Sequence, residues 1–223
     1  TDDVNIMTAE DPVEYNLHGI NQVLVRNEIG MTFAAALKAF LRQDPNIIMV
    51  GEIRDMSTGG IAIKAALTGH LVLSTLHTND CPSTITRLID MGTPHYLVAS
   101  ATQLIMAQRM VKKICQKCKE EVNLTEDQVR SLKMPPEVLK GIRAFRGKGC
   151  SACNDTGKSG RTGIYEVMPM SPAIEALTLQ RASDTEIRKA ALEEGMFSLR
   201  MAAVEKMKQG EISIDEVFAV TSS

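Results

Sequence analysis

The chain has 223 residues, enough for one large domain or for a domain with a smaller appendage. A 44% hydrophobic and 23% charged composition is that of an ordinary globular protein, and no apolar run approaches the roughly 20 residues of a membrane span. A net charge of -2, a pI near 6.1, 4% aromatic residues and no Trp exclude a broad basic or base-stacking nucleic-acid surface.

No export signal opens the chain. It begins at Thr1-Asp2-Asp3 and reaches a strand at Val4–Met7 almost at once, the start expected of a fragment of a longer protein. That strand runs into Ala9-Glu10-Asp11-Pro12-Val13-Glu14, three carboxylates within five residues, whose repulsion a cation would offset. The segment Leu17–Arg26 alternates at Ile20, Val23 and Val25 and predicts an edge strand. Thr32 caps a helix carrying Phe33, Ala36, Leu37, Phe40 and Leu41 on one face. The turn Asp44-Pro45-Asn46 then leads to Ile47–Val50, a short apolar run of the kind buried on both faces of a sheet. Gly51 and Glu52 follow. Gly51 lets the backbone lie close to a neighbour, and Glu52 falls at the carboxyl end of the strand, where open α/β sheets bind ligands.

A second helix is predicted over Ser57–Thr68, with Ile61, Ala65 and Leu67 inward and Gly69 past its end. Gly59 and Gly60 weaken its start by about 1 kcal/mol each. A strand over Leu71–Thr75 runs into Leu76-His77-Thr78-Asn79. Pro82 and Ser83 open a helix through Ile85, Leu88 and Ile89 that Gly92 stops, and a longer helix is predicted over Tyr96–Val111. From residue 155 the pattern is read as helical. One helix carries Ile174 and Leu177. Another opens on the capping box Ser183…Glu186 and ends at Gly195. A third spans Ser198–Gln209, and a last one follows the spacing Ser213…Glu216 before Val217 and Val220.

Short strands alternating with helices predict βαβ units and a parallel sheet. Parallel strands put their carboxyl ends on one edge, so Glu10, Glu14, Glu52 and His77 converge although they are spread over 70 residues. Carboxylates suit Mg²⁺ and an attacking water, and a histidine beside them can contact a phosphate oxygen. Each group alone has a plainer reading, as a solvated loop, a strand-tip acid or a structural histidine. Their convergence favours a site.

Four of the five cysteines form two C-x-x-C pairs, Cys115/Cys118 and Cys150/Cys153, which suit a closed structural zinc site better than disulfides or a redox pair. The loop between them is long enough for a small helix at Glu126–Leu132, and Lys112, Lys113, Lys117, Lys119 and Lys148 would offset thiolate charge. Cys81 stands outside the pattern as a free thiol. Ala152–Ser159, ACNDTGKS, nearly matches a phosphate-binding loop, but it has Ala for the first Gly and spends Cys153 on the metal.

TAEDPVEY, FLRQDPNIIMVGEIRD and TGHLVLSTLHTN resemble the Asp box, Walker B and His box of the secretion ATPases, the hexameric motors of type II secretion and type IV pilus assembly. The resemblance extends through the paired cysteines and GRTGIYEV. It implies an α/β fold: a partial RecA-like parallel sheet over residues 1–113, a tetracysteine zinc subdomain over 114–154 and a helical C-terminal subdomain over 155–223. It implies that Glu10, Glu14 and Glu52 serve Mg²⁺ and the hydrolytic water, and that His77 lies near the γ-phosphate of ATP, with His70 opening the same box. Arg42, Arg54 and Arg161 match positions that make contacts within or between subunits. The implied partners are further subunits of a homo-hexamer and inner-membrane platform proteins, with no nucleic acid, at the cytoplasmic face of the inner membrane. The family's Walker A loop is missing from these residues, so this piece alone is expected to be inactive. Paired cysteines point to pilus extension or secretion rather than retraction. The alternative is a non-enzymatic zinc-binding interaction module on an α/β scaffold.

Overall fold

The computed structural model describes residues 3–139 and 141–221, so Thr1 and Asp2 of the opening tripeptide lie outside it. In chain order the elements begin with β1 (Ile6–Glu10), β2 (Asn21–Leu24), α1 (Phe33–Phe40), β3 (Ile47–Val50), α2 (Met56–Leu67) and β4 (Leu71–Ser74). Next come α3 (Cys81–Asp90), α4 (His95–Ala101), β5 (Leu104–Ile114), β6 (Lys119–Val122), α5 (Glu126–Ser131), α6 (Pro136–Leu139) and β7 (Ala144–Gly147). The chain closes with β8 (Lys158–Pro169), α7 (Pro172–Leu179), α8 (Asp184–Glu193), α9 (Leu199–Lys208) and α10 (Ile214–Thr221). Two compact units result. One comprises Thr1–Thr78, Pro82–Leu104 and Pro169–Arg188, the other Asn79–Cys81, Ile105–Met168 and Lys189–Ser223.

The first unit is built on a parallel sheet of order β2-β1-β3-β4. The predicted edge strand is therefore present, trimmed to β2. Ile48 and Val50 of β3 are buried, and with Ala9 they meet Phe33, Ala36, Leu37 and Phe40 of α1 and Ala62 and Ala65 of α2 in one core. Thr32 caps α1 by accepting from the Ala35 N–H at 3.1 Å. Asp55 caps α2 by accepting from the Thr58 N–H at 2.8 Å. That cap offsets the double glycine, and Gly59 is itself a packing residue, since a Cβ there would lie 3.1 Å from Ile53 Cγ2. Leu67, expected inward, is exposed instead, because it falls on the last turn of α2, at the rim of the core.

The second unit has a core of Val111, Leu132, Ile164, Ala203, Val204, Met207, Ile212, Ile214 and Val217. Two corrections to the sequence reading fall here. The helix expected over Tyr96–Val111 ends at Ala101, and β5 takes over from Leu104. Ile105, Ala107 and Val111 are buried while Leu104, Met106 and Met110 are exposed, a period of two that outweighs the helical spacing of Leu97, Leu104 and Val111. Likewise the segment expected to be helical from residue 155 opens on the twelve-residue strand β8, whose Ile164, Glu166 and Met168 alternate inward. The capping box at Ser183 and Glu186 forms, with Ser183 N–H donating to Glu186 Oε2 at 2.8 Å. The one expected at Ser213 does not. Glu216 turns instead to the Lys112 N–H and to the Lys158 ammonium, whose charge makes it the stronger partner for a carboxylate.

Candidate functional site

Beyond Val50 the backbone is stitched to strands on both sides. Gly51 N–H donates to Ala9 O at 2.8 Å, Ile53 N–H donates to Thr75 O at 3.0 Å, and the Thr75 hydroxyl donates to Gly51 O at 2.6 Å. A Cβ at Gly51 would stand 3.2 Å from Ala9 O and 3.4 Å from a Phe33 ring carbon, so glycine permits this close approach. Glu52 is thereby held at the carboxyl ends of β1, β3 and β4.

Both carboxylate oxygens of Glu52 are engaged. Arg54 Nη2 donates to Oε1, and His77 Nε2 lies 3.1 Å from Oε2. Arg54 Nη2 is also 3.9 Å from Asp11 Oδ2. The Arg54 guanidinium holds the Glu52 carboxyl below the usual range, against partial desolvation and with help from His77. The carboxylate in turn raises the Arg54 value. Four groups from three strand ends thus meet as an alternating set of acids and bases.

The other expected site residues are placed as follows. Glu10 ends β1, and its Oε1 accepts from the Thr8 hydroxyl at 2.5 Å and from Gln22 Nε2 at 2.9 Å. Glu14 is exposed on the following loop, and Arg42 is exposed just after α1. Arg161 is exposed on β8, in the second unit. His70 closes the end of α2, with Nδ1 2.9 Å from Ala65 O. Among the described residues, the group of three or more His, Cys, Asp or Glu side chains close enough to share a metal ion is Cys115, Cys118, Cys150 and Cys153.

The four sulfurs lie within 4.8 Å of one another. Sulfur separations of 3.9 Å for Cys115–Cys150, 3.9 Å for Cys118–Cys153 and 3.7 Å for Cys150–Cys153 are far beyond a disulfide bond. They match the edge of about 3.8 Å of a tetrahedron with metal–sulfur bonds of about 2.3 Å. Main-chain N–H groups point at the sulfurs, Gly149 to Cys118 at 3.3 Å, Cys150 to Cys153 at 3.2 Å and Gly157 to Cys153 at 3.3 Å. Burial works to raise the Cys153 thiol, but the Cys150 and Gly157 N–H groups outweigh it and bring the value down to about 7. The donor set therefore fits a soft, tetrahedral divalent ion. Gly147 and Gly157 make this possible, because their main chains touch and a Cβ on either would overlap the other. The long insert between the cysteine pairs is an antiparallel hairpin, β6 with β7, with α5 between its strands, near where a helix was expected.

In the near match to a phosphate loop, the key residues have other partners. Lys158 is paired with Glu216 at 2.6 Å, and Cys153 is among the sulfurs.

Glu166 and Arg109 escaped the sequence reading, and Cys81 was read as a free thiol without its partners. Glu166 is a carboxylate with 1% exposure. Its Oε1 accepts from the Cys81 N–H at 2.8 Å and its Oε2 from the Leu199 N–H at 3.2 Å. Cys81 is fully buried, and burial followed by the Glu166 charge pushes its thiol up to about 12, so it stays a neutral S–H donor. Arg109 reaches Asn79. The phase of β8 carried a signal for the first: Glu166 falls between Ile164 and Met168, on the inward face.

A family model described as "Type II/IV secretion system protein" matches residues 1–219. The chain is 48% identical over 221 residues to "Type IV pilus assembly ATPase PilB" of Myxococcus xanthus, a match covering 99% of this chain and 39% of that protein. It is 46% identical over 217 residues to "Type II secretion system protein HxcR" of Pseudomonas aeruginosa, covering 97% of this chain and 42% of the relative. The chain thus spans about two fifths of the length of these relatives. Among solved structures, that of the pilus retraction motor PilT with bound ADP superposes with a TM-score of 0.69 at 27% identity, over 98% of this chain and 53% of that one. With the parallel sheet, its strand-end carboxylate and the paired cysteines in place, the match over nearly the whole length settles the kinship: the chain belongs to the type II/IV secretion system protein family.

Proposed function

We propose that the first unit is the water-activating half of an ATP hydrolysis site in a hexameric motor that drives type IV pilus assembly or type II secretion. The observation that carries this is the meeting of Glu52, Arg54, His77 and Asp11 at the carboxyl ends of β1, β3 and β4. Glu52 is anchored by main chain on both sides and kept ionised, as a base that orients an attacking water must be. His77, already 3.1 Å from that carboxylate, is the candidate contact to the γ-phosphate. Glu10 presents an oxygen, Oε2, with no hydrogen bond to the described residues and is the first candidate for Mg²⁺, with Glu14 the second. One or two carboxylates are sufficient, because Mg²⁺ takes its remaining ligands from nucleotide phosphates and water. Bound Mg²⁺ would neutralise charge on those phosphates. Arg42, Arg54 and Arg161 are candidates for contacts to nucleotide or to a neighbouring subunit.

The phosphate cradle must come from outside these residues, and β4 is where we place it. β4 is an edge strand with Leu71 and Leu73 about half exposed, the surface expected where a further parallel strand pairs and a helix covers it. In this reading the chain alone hydrolyses no ATP. The four cysteines hold a structural Zn²⁺ that fastens the second unit. The site of action is the cytoplasmic face of the inner membrane, with the membrane platform proteins of the machine as partners and no nucleic acid involved.

The test is Glu52→Gln in the full-length protein. Mg²⁺-dependent ATP hydrolysis is expected to fall by about a hundredfold or more, with ATP affinity changed little. Unchanged turnover would overturn the role of Glu52 and with it the reading of the site.

A further inference from the structure

The loop between β1 and β2 carries Asp11 and Glu14, and no apolar packing holds it down. Tyr15 is 80% exposed and Leu17 53% exposed, and none of residues 11–20 is buried. A loop of this kind keeps one shape only where polar contacts fix its backbone. Two such contacts come from a single side chain. Gln22 Nε2 donates to Tyr15 O at 3.0 Å, and Gln22 Oε1 accepts from the Leu17 N–H at 2.7 Å. The same Nε2 donates to Glu10 Oε1 at 2.9 Å. All of these residues lie in the first unit.

Strand register makes this reach possible. Gln22 stands opposite Thr8 in the parallel pair of β2 with β1, and Glu10 is two residues beyond Thr8. The three side chains therefore leave the same face of the sheet. The Thr8 hydroxyl and the Gln22 amide both donate to Glu10 Oε1, at 2.5 and 2.9 Å. With Oε1 taken twice, Oε2 is the oxygen left to present. The partners also fix which way round the amide lies, since a carboxylate and a carbonyl only accept and an N–H only donates. Both amide protons and the amide oxygen are in use. Asn at this position would fall one methylene short, and an ionised Glu would have no proton for either acceptor.

We infer that Gln22 is a positioning residue for the acidic group: it turns Glu10 so that Oε2 is presented to a cation, and it fixes the backbone beside Glu14. The inference rests on the reading of Glu10 and Glu14 as the carboxylates that serve Mg²⁺. A carboxylate held by a fixed donor is a better ligand than one free to rotate, the more so for an ion that demands near-ideal geometry.

The test uses full-length protein and Gln22→Ala, on an edge strand and outside the core of the unit. At saturating ATP, the free Mg²⁺ needed for half-maximal hydrolysis is expected to rise about tenfold, with kcat at saturating Mg²⁺ within about threefold of the parent. An unchanged Mg²⁺ requirement, whether kcat falls or not, overturns the inference, because a merely structural role would not move that requirement. A second readout does not depend on hydrolysis. Amide hydrogen exchange over residues 14–18 is expected to speed up about tenfold in Gln22→Ala, and unchanged exchange overturns the tie to the loop. Glu10→Ala and Glu14→Ala separate this inference from the reading beneath it. If both keep the parent's turnover and Mg²⁺ requirement, the reading of the carboxylates falls and the role of Gln22 falls with it. If either shifts the requirement while Gln22→Ala does not, the reading stands and the inference alone is overturned.

Discussion

Glu216 accepts from the Lys112 N–H at 2.8 Å and pairs with the Lys158 ammonium at 2.6 Å. Burial works to raise its carboxyl, but the Lys158 hydrogen bond and the Lys112 N–H outweigh this and hold it below the ordinary value of 4.5. A carboxyl lowered on folding contributes stability above its unfolded value, and that contribution is lost as pH falls through the folded value. Glu216→Gln is therefore expected to cost about 2 kcal/mol at pH 7. The difference from the parent chain should shrink as pH drops below 4.5, and urea unfolding at two pH values would measure it. Residue spacing alone pointed elsewhere for Glu216. Ser213 and Glu216 have the separation of a capping box, and a helix does follow, yet the competing donors, an ammonium and a main-chain N–H, come from residues 58 and 104 positions away. Glu52 was legible because its partners follow from strand order, whereas Glu166 and Arg109 were not, because theirs depend on where a loop returns.

At the scale of elements, the first unit could be read almost completely from the chain. Its strands are short apolar runs between turn residues, and its helices have caps at Thr32 and Asp55. The misreadings cluster at β5 and β8. Both are amphipathic, with Met, Gln, Lys and Gly among the exposed positions, and such segments satisfy helical and strand periods about equally until a partner strand decides. The cysteine knuckles were the opposite case, since ligand spacing is nearly independent of what surrounds it. They make a firm prediction: one zinc per chain after purification without chelator, measured by metal analysis. Stripping it, or replacing Cys115 by Ser, is expected to lower the melting temperature by several degrees and to expose the amides of residues 115–157 to exchange. Unchanged melting and exchange would show that the sulfurs are only neighbours.

For the whole molecule, the sheet of the first unit is open at β4, and an exposed, alternating edge of Leu71 and Leu73 invites pairing. The chain as given is expected to show no ATP hydrolysis above background. The same chain extended at its N-terminus by a phosphate-loop strand and helix is expected to gain both Mg²⁺-dependent turnover and thermal stability. A phosphate-release assay beside a melting curve would separate the two gains, and turnover by the unextended chain would show that the cradle lies within it.

The contact of Gly147 with Gly157 has a consequence for which ion the four sulfurs would accept. Gly149 packs on main chain too, since a Cβ there would lie 2.9 Å from Asp155 O, but the approach at Gly147 and Gly157 is closer still. At these two positions the spacing between two bare main chains would itself have to widen, and the sulfurs would travel with it. Edges of 3.7 to 3.9 Å enclose an ion of one radius. The fit of a metal ion held by the four sulfurs would therefore depend on two residues that donate nothing to it.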